Sequence, residues 1–116
     1  MYIHELVKAL EEKARSCGLK VGYVSRKPGH IILAVENSKR VLVWFRHETV
    51  KRSSIDLFNK IVRKIEYDAV VIVKKYKQIE GVRLPNNWIV LDVSDIDSVE
   101  KAINMVMNVI SDIMGR

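Results

Sequence analysis

One cysteine, Cys17, stands in 116 residues, so the chain closes no internal disulfide. With three scattered histidines beside it, it makes no zinc-ligand spacing either. Proline occurs twice and glycine five times, too seldom for a linker or a low-complexity tract. No apolar run approaches the roughly 18–20 residues that span a bilayer. The opening MYIHELVKALEEKA is amphipathic and carries acids early, unlike a secretory signal, so a cytoplasmic location with no membrane partner is expected. Glutamine occurs once, against abundant Lys, Glu, Ile and Val, a balance that hints at a thermophilic source.

Nearly half the residues, 48%, are apolar, which excludes disorder and suits one compact domain over residues 1–116. Lys and Arg outnumber Asp and Glu by 20 to 14, giving a net charge of +6. That balance favours an anionic partner, because clustered cations release counterions from phosphate.

Hydrophobic spacing predicts a helix over 3–16, on Ile3, Leu6, Val7, Leu10 and Ala14, closed by Gly18. Leu19–Ser25 alternates as an edge strand. Pro28-Gly29 predicts a turn, and Ile31–Val35 and Val41–Arg46 are apolar enough to be central strands. A second helix is predicted from about Ser54 to Ile65, and AVVIV within Tyr67–Lys74 reads as an interior strand reached by a crossover. Residues 75–87 read as a loop, Trp88–Val93 as a last strand. Asp97 and Glu100 resemble a capping box opening a helix to about Met114. The resulting αβββαββα order predicts an α/β fold, a single mixed sheet flanked by helices.

The segment Pro28–Arg46, PGHIILAVENSKRVLVWFR, with the helix before it and the helix and AVVIV strand after it, resembles the archaeal Holliday-junction resolvase group of the restriction-endonuclease-like superfamily. The resemblance implies an aspartate opening the second strand, Glu-x-Lys on the third and a glutamate on the first helix, together binding magnesium for phosphodiester hydrolysis. Here Gly29 or His30 takes the aspartate's place, Trp44 the glutamate's and Arg46 the lysine's. Glu5 matches the helix glutamate, and is equally an ordinary first-turn acid. The candidates for a displaced catalytic set are Glu5, His30, Glu36 and Glu48; no confident metal site follows, and magnesium is expected only if the chain is active.

Two readings of the altered positions stand side by side. Trp44 can stack on an unpaired base while Arg46 pairs with phosphate, or Trp44 can fill the core with Arg46 at its edge. Arg26, Lys27, Lys51, Arg52, Lys74, Lys75 and Lys77 recur at element ends as candidate phosphate contacts, with Tyr76 among the last of them. On the C-terminal helix Met105, Met107, Val109 and Met114 widen the apolar stripe beyond one face, which predicts a homodimer interface. The leading expectation is a degenerate, non-catalytic nuclease-fold protein that binds nucleic acid, branched or single-stranded DNA, as a dimer. The alternatives are an active magnesium-dependent endodeoxyribonuclease with migrated acids, or an assembly subunit, as in structural subunits of archaeal tRNA-splicing endonucleases.

Overall fold

The computed structural model describes residues 2–75 and 81–116. The elements run α1 (Ile3–Ser16), β1 (Lys20–Lys27), β2 (His30–Glu36), β3 (Arg40–Arg46), α2 (Arg52–Ile61), β4 (Ala69–Lys74), β5 (Trp88–Asp92) and α3 (Val99–Met114). The strands form one mixed sheet in the order β1-β2-β3-β4-β5. β1, β2 and β3 pair antiparallel, whereas β3, β4 and β5 pair parallel. The expected α/β class and single flanked mixed sheet are what the chain adopts.

Side chains alternate between two cores, as strand geometry requires. Val41, Val43 and Phe45 of β3 join Leu6, Leu10, Val106 and Ile110 under α1 and α3. Leu42 and Trp44 join Ile55, Phe58 and Trp88 on the α2 side. β3 and β4 are buried along almost their whole length because both faces are covered.

Helix α1 stops where predicted. Leu19 N–H bonds Ala14 C=O and Gly18 N–H bonds Arg15 C=O, with Gly18 at φ 83°, which closes a Schellman motif.

Several boundaries move, four of them for a local reason. β1 continues to Lys27 through an irregularity between Tyr23 and Ser25, so Arg26 and Lys27 are strand residues and not turn residues. α2 opens at Arg52, two residues early, because Ser54 Oγ turns back to accept the Lys51 N–H. It ends at Ile61; Val62–Lys64 close as a turn in which Ile65 N–H reaches Val62 C=O. α3 is capped by Ser98, whose Oγ accepts from Lys101 N–H, while Asp97 instead pairs with the Lys101 ammonium at 3.1 Å.

Candidate nucleic-acid interface

Sheet register brings one set of chain ends together. Lys27 pairs with His30, Arg46 with Lys74, and Lys74 with Asp92, so the carboxyl ends of β1, β3, β4 and β5 share one edge of the fold. The start of α2 joins them, since Arg46 Nη2 donates to Ser54 Oγ at 3.0 Å. The start of α1 arrives from the opposite layer, where Lys75 Nζ lies 5.5 Å from the Tyr2 ring centroid. Crevices at the carboxyl ends of parallel strands are where open α/β sheets bind ligands.

The last residues of β3 lie inside this end. Trp44 is 0% exposed and Arg46 6% exposed. Trp44 Nε1 and Arg46 Nη1 both donate to the Gly29 carbonyl, at 3.1 and 2.8 Å; Arg46 Nε donates to Thr49 C=O at 3.2 Å. Rings stack in a column from His30 to Trp44 (5.2 Å) and Phe58 (4.7 Å), which meets Trp88 edge-on at 5.0 Å. Trp44 is therefore core, and not a surface on which a base can stack. Arg46 is committed to the protein's own carbonyls, so it is not a phosphate contact either.

His30 is a buried residue that opens β2. Its Nε2 lies 3.3 Å from Ser54 C=O. Burial lowers its pKa below the usual 6.5, with Arg46 and Lys27 adding to the fall and the Ser54 bond opposing it. Lys74, also buried, has its pKa lowered chiefly by desolvation, with Asp92 raising it and Arg46 lowering it. A lysine held within the sheet end is a poor phosphate contact, which removes Lys74 from that list.

The candidate acids do not converge. Glu36 ends β2 at the far edge, six residues or roughly 20 Å of strand from His30, and is bonded to Arg40. Glu5 is exposed on α1, across the sheet from Trp44 and Arg46. Glu48 extends into solvent, with one oxygen 3.5 Å from Arg46 Nη2. Among the described residues no three His, Cys, Asp or Glu side chains gather as metal ligands do.

Most of the remaining candidate phosphate contacts stay accessible, alongside exposed Glu48 and Asp92. Arg26, Lys27, Lys51 and Arg52 are exposed and Lys75 is half-buried, with Arg52 also 3.3 Å from Asp56. Lys77 and Tyr76 lie outside the described residues. Among the described residues the exposed large apolar side chains are Tyr2 at 65% and Tyr23 at 38%, and each carries a cation against its ring. Arg26 lies 3.9 Å from the Tyr23 centroid, and Lys75 approaches Tyr2 as above. The tyrosines went unread in the sequence because nothing local places residue 2 beside residue 75.

On α3, Met107 packs in the chain's own core, so it is not free to meet a partner. Met105, Val109 and Met114 are half-buried, Val109 and Met114 against that same core. Much of the extra apolar width is thus spent on packing α3 against α1 and the sheet. No family model, curated protein or solved structure matches this chain.

Proposed function

We propose that the chain is a non-catalytic protein of restriction-endonuclease-like frame that binds single-stranded or branched DNA at the carboxyl end of its sheet. One observation carries the reading: exposed cations at the end of β1 and the start of α2 share one edge with half-buried Lys75, and two exposed tyrosines, Tyr2 beside Lys75 and Tyr23 beneath Arg26, adjoin these cations. Cations track a phosphate backbone and open aromatic rings stack on unpaired bases, the combination that single-strand binding uses. An antiparallel β1-β2-β3 meander leading through α2 to a parallel β4 supports the nuclease-like frame. Absence of catalysis is supported by the two motif positions, Trp44 and Arg46, being bonded into the core.

The test is fluorescence anisotropy with a labelled single strand, a four-way junction and a duplex, between about 50 and 200 mM salt. The reading expects single-strand and junction affinity above that of duplex, falling steeply with salt. Absence of binding at low salt rules it out and leaves the fold as an assembly scaffold. Magnesium-dependent junction cleavage abolished by Glu48→Ala would instead make the protein a nuclease with displaced acids.

A further inference from the structure

We propose that a recess between the start of α1 and the ends of β3 and β4 is a phosphomonoester site, which takes the phosphorylated terminus of a single strand. The inference rests on the nucleic-acid reading above and names the chemical group that this part of the surface recognises.

The recess has a volume of about 260 Å3 and is lined by Tyr2, Ile3, His4, His47 and Lys75. That is just below the ~300–1,000 Å3 of sites for drug-sized ligands. Three separate segments build it, which the sheet register holds in place: Lys75 N–H bonds the Arg46 carbonyl, tying the residue after β4 to the end of β3.

Its polar groups are donors. Lys75 supplies an ammonium, and no carboxylate pairs with it among the described residues. His4 and His47 bring imidazoles, His47 Nε2 lying 3.9 Å from Glu48 Oε1. Helix α1 contributes its first turn: Tyr2 is the N-cap and its side chain caps no amide, so the leading N–H groups lack a side-chain partner. Among the described residues, the acids at this end of the fold include Glu5, Glu48 and Asp92, and none of them lines the recess.

A phosphomonoester matches this set better than a phosphodiester. It offers three unesterified oxygens and between one and two negative charges, against two oxygens and one charge mid-strand. It also needs an exit for only one chain direction. Tyr2, stacked with His4 at 5.8 Å and 65% exposed, stands at the rim where the terminal base would lie.

Anisotropy with one single strand ending in 5′-phosphate, 3′-phosphate or hydroxyl at both ends tests this, using the intact protein, His47→Asn and Lys75→Gln. One phosphorylated form is expected to bind about tenfold tighter than the hydroxyl form, with the ratio collapsing toward one in both variants. Which end gains identifies the polarity of the strand. Equal affinity for all three ends, or a preference unchanged in both variants, overturns the site while leaving strand binding intact. No binding of any form at low salt overturns the site and the nucleic-acid reading together.

Discussion

The indole of Trp44 and the guanidinium of Arg46 share one acceptor, the carbonyl of Gly29. Gly29 sits at φ 76°, and a Cβ there would lie 3.4 Å from Arg46 Nη1. The β1–β2 turn is thus clamped to the end of β3 by Trp44 and Arg46. Side chains two apart on a strand share a face, and here that face is spent on structure.

Arg46→Ala is expected to destabilise the fold by about 3 kcal/mol, since it removes a buried side chain and its three bonds, leaving the Thr49 carbonyl without the guanidinium and the Gly29 carbonyl and Ser54 hydroxyl with one donor fewer. Arg46→Lys should recover only part of this, because an ammonium lacks the planar fork that reaches three partners. Urea unfolding midpoints measure both. Wild-type stability in either variant would show that the clamp is decorative.

Trp44→Leu separates core from binding surface. Removing the middle of the His30–Trp44–Phe58 column leaves a void and should cost about 3 kcal/mol. Strand affinity, measured where the variant remains folded, should change less than about twofold. A tenfold loss would return Trp44 to the interface.

The fold was legible because its signals are local. The β-branched runs of β2, β3 and β4, and the apolar stripes of α1 and α3, each carry their own period. The site was less so, because it depends on register. Whether Trp44 faces α2 or solvent and whether Glu36 lies beside Glu48 or at the opposite edge are settled by pairings across the sheet, and the meeting of Lys75 with Tyr2 by how α1 packs on it. Arg26 and Lys27 show the intermediate case: their position at an element end was readable, their place within a strand was not, because an irregularity at Tyr23 extends β1.

His30 makes stability depend on pH. Its pKa is lowered in the folded state, so between that value and 6.5 the unfolded chain binds the extra proton. The contribution is complete above 6.5 and is lost as pH falls through that window, with a slope of at most about 1.4 kcal/mol per pH unit. His30→Phe keeps a ring on Trp44 and cannot titrate. Urea midpoints from pH 8 to 5 should therefore fall more steeply for wild type than for the variant. Parallel curves would mean that His30 does not sense pH.

The cations at the sheet end should account for most of the salt dependence of strand binding, because each lysine seated on a phosphate displaces a condensed counterion. Lys27 and Lys51 are exposed, lie on different elements of the same edge, and take part in no ion pair among the described residues. Lys27→Ala and Lys51→Ala are each expected to reduce the slope of log affinity against log salt by about 0.7, the single-strand value per contact. Stability should move by less than about 0.5 kcal/mol, as for surface changes in general. Lys60 and Lys64 provide the control: both are exposed, but they sit in the last turn of α2 and just beyond it, away from the helix start that joins the basic edge. Net charge falls equally in all four variants, so a uniform effect would indicate nonspecific attraction to a +6 protein. A loss confined to Lys27 and Lys51 locates the strand on the edge that Gly29, Trp44 and Arg46 hold rigid.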